Sequence, residues 1–266
     1  MFKRIFIFCN FFIISLFIIS CGNNKNDNKI KVGIIESDRI IWQEVIRQVL
    51  KDNIHIELIT FSDYLLPNQA LNDGEIDLNN FQHYAFFENE INTKGYELIA
   101  IADTCLAAMN IYSQNINDIS ELKEGDKIAI PNDPSNGGRA LKILDSLNLI
   151  KLKDKTILNP SIKDIEENNL EIIEVDAGSI YSLLPDVACA IINCNFAISF
   201  GLNPDKDSIY KDDPNNYYDK SYINIIAARE EEKDNEIYKK IIEAYQSDEV
   251  KEIYNKDFKG AYIAVW

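Results

Sequence analysis

The sequence predicts an α/β protein built on largely parallel sheets, and three observations carry that reading. Short apolar runs alternate with amphipathic helical stretches along most of the chain. The first such run after the leader, Ile30 to Ile35, is followed at once by a helix signal, as in a β-α unit. Turn-rich, charged breaks near Ser113 to Asp126 and Asn203 to Asp219 mark where the chain changes unit.

Taken in order, the chain opens with Lys3 and Arg4, runs through apolar residues from Ile5 to Ile19 broken by Asn10 and Ser15, and meets Ser20-Cys21. The apolar run is shorter than the ~20 residues a membrane span wants, so residues 1–20 read as an export signal. The tail Leu16-Phe17-Ile18-Ile19-Ser20-Cys21 resembles a bacterial lipobox, which implies that Cys21 is lipidated and becomes the mature N-terminus. Residues 21–29 then form the lipidated cysteine and a polar tether. Several acyl chains, at about 0.8 kcal/mol per buried CH₂, hold such a protein at a membrane surface.

Ile30 to Ile35 reads as a buried strand. Ser37 or Asp38 caps a helix with stripes at Ile41/Val45/Val49 and Trp42/Ile46/Leu50. Ile54, Ile56 and Leu58 alternate with His55, Glu57 and Ile59, the period of a second strand that turns His55 to solvent. Further strands are expected at 96–102, 108–112, 127–130, 170–175, 187–192 and 222–228. Ile237, Ile241 and Tyr245 mark a terminal helix.

Composition excludes some functions. The chain has 43 acidic and 27 basic residues and a formal net charge of −16, made more negative by loss of Lys3 and Arg4 with the signal. A nucleic-acid partner is therefore excluded. The mature chain keeps Cys105, Cys189 and Cys194, with no metal-ligand spacing and no implied cofactor. A Cys189–Cys194 disulfide is open to an exported protein, although buried free thiols are favoured.

Two segments carry chemistry. In Pro131-Asn-Asp-Pro-Ser-Asn-Gly-Gly-Arg139-Ala-Leu141, Asp133 is a good N-cap and Pro134 suits the first helical position. Ala140, Leu144 and Leu147, broadened by Leu141 and Ile143, give that helix a core-facing stripe. The helix start favours an anion, Gly137 and Gly138 allow close backbone approach, and Arg139 in the second turn adds a forked contact to a carboxylate. The reading that competes with this is an ordinary capped helix with a surface arginine. In the second segment, Phe61 to Phe87, the aromatics fall too irregularly for one amphipathic stripe, so some line a cavity while others are core.

With Asp63-Tyr-Leu-Leu-Pro-Asn68, Glu75 to His83, Ala190 to Ala197 and Ser221 to Arg229, these segments resemble the NlpA/MetQ-type lipoprotein family, in one order from about Ile30 to the C-terminus. These are the methionine-binding receptors of ABC importers. The resemblance implies two Rossmann-like lobes joined by two crossing strands, a type II periplasmic-binding-protein-like fold with an amino acid in the cleft. Lobe 1 is then 30–113 plus 220–266, and lobe 2 is 114–219. It further implies that Arg139 meets the ligand carboxylate and that Asn193 and Asn224 bond the polar backbone atoms. Tyr64, Phe81, His83 and Phe86 line the side-chain pocket.

The sequence departs from the family where a Pro-Tyr pair usually stands, with Ala85-Phe86, and where a tyrosine commonly follows the INxN segment, with Phe196. Two phenolic donors are gone, which leaves open a methionine-containing dipeptide or another apolar amino acid. The implied partners are methionine, expected as L-methionine, an ABC permease with its ATPase, and the membrane reached through the lipid anchor. The protein is expected to be a monomer facing the periplasm or cell exterior. An enzyme is disfavoured by a total of two histidines, and a His83–Cys105 nucleophile pair has no support in the pattern. A surface adhesin that has lost its ligand is disfavoured by retention of Arg139, Asn193 and Asn224 together.

Overall fold

The computed structural model describes residues 29–213, 220–258 and 260–266. The signal, Cys21 and all but the last residue of the 21–29 tether lie outside the described residues. Among the described residues no helix is long and apolar enough to cross a membrane.

The chain runs β1 (Lys29–Ile35), α1 (Arg39–Val49), β2 (His55–Phe61), α2 (Pro67–Asn72), β3 (Leu78–Asn80), α3 (Tyr84–Lys94) and β4 (Leu98–Ala107). After Ala108 it continues as β5 (Met109–Tyr112), β6 (Lys127–Pro131), α4 (Pro134–Ser146), the β7 (Ile150–Leu152) and β8 (Ile165–Asn168) hairpin, and β9 (Glu171–Val175). It closes with β10 (Cys189–Asn193), α5 (Cys194–Ser199), β11 (Ser208–Tyr210), β12 (Ile223–Arg229), α6 (Glu236–Tyr245), α7 (Asp248–Ile253) and β13 (Tyr262–Ala264).

Two sheets organise these elements, in the orders β13-β4-β12-β3-β1-β2 and β11-β5-β10-β6-β9. Pairing is parallel among β1, β2 and β3 and among β10, β6 and β9. It is antiparallel wherever β4, β5, β11, β12 or β13 takes part, so the sheets are mixed rather than largely parallel. The reason is topological: strands that carry the chain from one sheet to the other, and the strand that closes it, return against their neighbours instead of through a helical crossover.

The first crossing also falls earlier than the 113 boundary. β4 is ten residues long and only Ala108 separates it from β5, which pairs with β10 and β11. The turn signals at 113–126 lie beyond β5, the first strand of the second sheet. The second crossing runs from β11, in the second sheet, to β12, in the first.

Side chains alternate across each sheet as a period of two requires. Ile226 and Ala228 pack with Val32, Ile34, Trp42, Val45, Ile241 and Tyr245 under α1 and α6. Ile225 and Ala227 face Ala70, Leu71 and Phe87 on α2 and α3. In the second sheet Ile128, Ile130 and Ile191 meet Ala140, Leu141 and Leu144 of α4. Ala129, Ala190 and Ile192 face the other way, into a cluster that also takes Ile35, Tyr64, Phe81 and Phe86 from the first unit. One apolar cluster thus joins the two units, and three of its members, Tyr64, Phe81 and Phe86, also line the pocket described below.

The first helix is less regular at its ends than expected. Ser37 and Asp38 form a buried 3-10 turn, and Asp38 stands at the N-cap of α1 without a side-chain capping bond. Leu50 is exposed, so the buried stripe is Ile41, Trp42, Val45 and Val49.

Candidate functional site

Each sequence segment of interest folds for a local reason. In Asp63 to Asn68 the Asp63 carboxylate accepts from the N–H groups of Leu65 at 2.8 Å and Leu66 at 3.0 Å, a turn that ends in Pro67 at the start of α2. That turn holds Tyr64 inward. Asn68, Asn79 and Gln82 then form a buried amide network, with Asn68 Nδ2 donating to Gln82 Oε1 at 2.7 Å and Asn79 Nδ2 to Asn68 Oδ1 at 2.9 Å. The network locks the segment that carries Phe81 and His83 to the one that carries Tyr64.

His83 caps α3. Its Nδ1 accepts from the Phe86 N–H at 3.1 Å, so the proton lies on Nε2, which donates to Asn136 Oδ1 at 3.2 Å. Burial, with the Arg139 charge nearby, pushes its pKa down to about 3, so the ring is neutral at physiological pH. Neither ring nitrogen is turned to Cys105, whose thiol burial pushes far upward. The His83–Cys105 nucleophile pair therefore does not form.

Asp133 caps α4 as its sequence indicates, accepting from Asn136 N–H at 2.9 Å. The two glycines serve a different purpose from the one expected. A Cβ at Gly137 would stand 2.7 Å from the Pro131 carbonyl oxygen, and one at Gly138 would stand 2.8 Å from the Asn159 Cα. Both glycines admit the protein's own backbone rather than a ligand. Arg139 is no surface residue: it is 2% exposed, and its Nη2 donates to the Ala107 carbonyl at 2.9 Å and to Asp212 Oδ2 at 2.8 Å. Its guanidinium carbon also lies 4.8 Å from the centre of the Tyr222 ring.

All seven residues singled out in the sequence, Tyr64, Phe81, His83, Phe86, Arg139, Asn193 and Asn224, line one pocket of about 380 Å³ including its mouth. Tyr64, Phe81 and Phe86 make an apolar wall of tilted and edge-to-face rings 5.7 to 5.8 Å apart. Phe196 packs on Tyr64 with ring centres 4.6 Å apart. Asn193, where β10 runs into α5, donates through Nδ2 to Asn136 Oδ1 at 2.7 Å, and its buried Oδ1 has no hydrogen-bond partner. Asn224, near the start of β12, pairs through its backbone with His83.

Gln82, Asn136, Asn195 and Tyr262 also line the pocket and were not singled out in the sequence, and Asp212 and Tyr222 stand behind its wall against Arg139. Asn195 accepts from the Tyr64 hydroxyl, and Asn136 links His83 to Asn193, so both asparagines bond across the two units. Asn136, Asn195 and Tyr222 stood inside segments already noted, two or three residues from the ones chosen. Asp212 lies in a run of aspartates and asparagines, and nothing local distinguishes it from its neighbours.

Two α/β units with a partly apolar, partly charged pocket between them define a cleft-type binding protein. The chain matches the NlpA lipoprotein family over residues 30–266 and belongs to it. It is 42% identical over 259 residues to the D-methionine-binding lipoprotein MetQ of Escherichia coli strain K12, covering 95% of this chain and 94% of that protein. A nutrient binding protein from Burkholderia cenocepacia, solved bound to methionine, superposes with a TM-score of 0.83 at 38% identity, covering 89% of this chain and 100% of that one. The substrate binding protein of a methionine transporter from Streptococcus pneumoniae gives a TM-score of 0.83 at 34% identity, over 90% and 96% of the two chains.

Proposed function

We propose that this chain is an extracytoplasmic solute-binding protein, anchored through lipid on Cys21, that captures L-methionine between its lobes and delivers it to an ABC permease and its ATPase. The observation that carries the reading is the pocket itself. It brings one buried guanidinium, one unpartnered buried acceptor and three aromatic rings to the walls of one space between the units.

In this reading the ligand carboxylate docks on the Arg139 fork and the α-ammonium donates to Asn193 Oδ1, with Asn224 completing the polar end. The thioether rests on Tyr64, Phe81 and Phe86, at ~0.3–1.5 kcal/mol per sulfur–ring contact. A hydrogen bond to a charged group is worth about 1.5–3 kcal/mol, so the polar end dominates affinity and the wall sets the side chain.

Binding, not catalysis, is the proposed role. His83 is held neutral with both ring nitrogens engaged, and the thiols of Cys105 and Cys194 are pushed up by burial, so no pocket group is poised as base or nucleophile. The proposed lobes follow the sheets, with the crossings after Ala107 and between β11 and β12, and the chain acts as a monomer.

The test is to purify the full chain in detergent, denature it, and identify any released small molecule by mass spectrometry. Methionine is the expected product. A dipeptide or a different apolar amino acid would move the assignment to the alternative that loss of the two family tyrosines leaves open, at Phe86 and Phe196.

A further inference from the structure

The strongest feature outside the proposed ligand contacts is the acid beside Arg139. Asp212 Oδ2 lies 2.8 Å from Arg139 Nη2, and the side chains of the pair are 2% and 4% exposed. Asp212 is held in place from both sides: its N–H donates to Asn110 Oδ1 at 3.0 Å, and its Oδ2 accepts from the Met109 N–H at 3.3 Å. It therefore ties the second crossing to the first and cannot swing away to solvent without breaking those bonds.

We propose that Asp212 is a specificity-determining residue: by neutralising Arg139 at the pocket it makes the site select zwitterionic α-amino acids over carboxylates that lack the amino group. This rests on the reading that a ligand carboxylate docks on Arg139.

The argument is one of buried charge. Adding a charge to a desolvated site is costly unless it is compensated there. Arg139 and Asp212 cancel, so a zwitterion enters without changing the formal charge of the site. A bare carboxylate brings one additional negative charge next to Asp212.

Among the described residues, the other ionisable groups near the pocket do not relieve this, and Asp38, which accepts from the Tyr262 hydroxyl on the pocket wall, is itself acidic. His83 is neutral, and the Cys194 thiol is held protonated by burial. The Asp133 carboxylate accepts from the Asn136 backbone and side chain and from the Ser135 hydroxyl at the start of α4. Asn193 Oδ1 complements the arrangement, since a neutral carbonyl oxygen takes an ammonium without altering the balance.

The experiment titrates the detergent-solubilised full chain, stripped of ligand, with L-methionine and with methylthiobutanoate, the same molecule without its amino group. Wild type, Asp212→Asn and Asp212→Glu are compared, and thermal unfolding is followed in parallel. The asparagine amide retains an oxygen able to accept from Arg139 and Met109 while removing the charge.

The expected result is a preference for methionine of 100-fold or more in the wild type, reduced at least tenfold in Asp212→Asn and recovered in Asp212→Glu. The ratio is read within one variant, so a general loss of stability does not move it. An unchanged ratio in Asp212→Asn overturns the proposal. So does a wild-type protein that binds methylthiobutanoate as tightly as methionine, which needs no variant to fold. A wild type that binds neither compound defeats the methionine reading instead.

Discussion

At Arg139 a motif residue is spent on both structure and the proposed binding. Replacing it by alanine removes the proposed carboxylate anchor, and methionine affinity should fall tenfold or more, at about 1.4 kcal/mol per decade. It also leaves the Asp212 carboxylate buried without its cation, a change that typically costs about 3–5 kcal/mol. Calorimetry and denaturant unfolding on the same variant read the two effects separately. Unchanged affinity would remove Arg139 from the site.

Two buried titratable residues pull stability in opposite directions. His83, with its pKa lowered to about 3, contributes stability that is fully present above the ordinary histidine value and is lost as pH falls toward 3. Asp38 is raised to about 7, mainly by burial, with the Tyr262 hydroxyl donating to it at 2.9 Å. Its contribution is fully present below the ordinary carboxylate value and is lost as pH rises through 7. Asp38→Asn removes that loss. The variant should therefore gain stability over wild type between pH 4 and pH 8, on the order of 1 kcal/mol per unit of the shift removed. A wild-type-minus-variant difference that does not vary with pH would contradict this.

At the scale of elements, α4 shows what could be read from sequence and what could not. Its Asp133 cap, Pro134 start and apolar stripe were legible because each is a local rule acting within one turn or one face. The purpose of its glycines was not, because Pro131 and Asn159 approach them only in the folded chain. Gly138→Ala places a methyl carbon 2.8 Å from the Asn159 Cα, a backbone atom that cannot rotate away. The variant should lose about 1–3 kcal/mol of stability, as overpacking does, measured by urea unfolding. A stabilised variant, as helix propensity alone would give, would show that the 159 loop yields freely.

The strands divide in the same way. Short apolar runs, and alternation at β2, revealed β1, β2, β4, β5, β6, β9, β10 and β12 near their observed places, whereas β3, β7, β8, β11 and β13 are short and have no pattern of their own. The passage from one sheet to the other has no break of its own in the sequence, because β4 passes into β5 with a single intervening residue and no turn chemistry.

For the whole molecule, the pocket was legible only through the resemblance, which pointed to seven residues between 64 and 224 that the fold brings together. Composition and periodicity alone could not relate Tyr64 to Asn195, or Arg139 to Asp212, since those contacts join distant segments. In the structure the Tyr64–Asn195 and His83–Asn136 bonds already bridge the units, and an apolar cluster continues across them. In the proposed site ligand contacts add to both sides of that junction, so methionine should favour the closed arrangement and raise stability by mass action, about 2.7 kcal/mol at a hundredfold excess over Kd.

The most direct measurement is a calorimetric titration of the stripped full chain with L-methionine, with D-methionine run alongside. A saturable transition at one ligand per chain with at least one enantiomer is the predicted result. No saturable binding of either enantiomer to a chain shown to be folded would contradict the account.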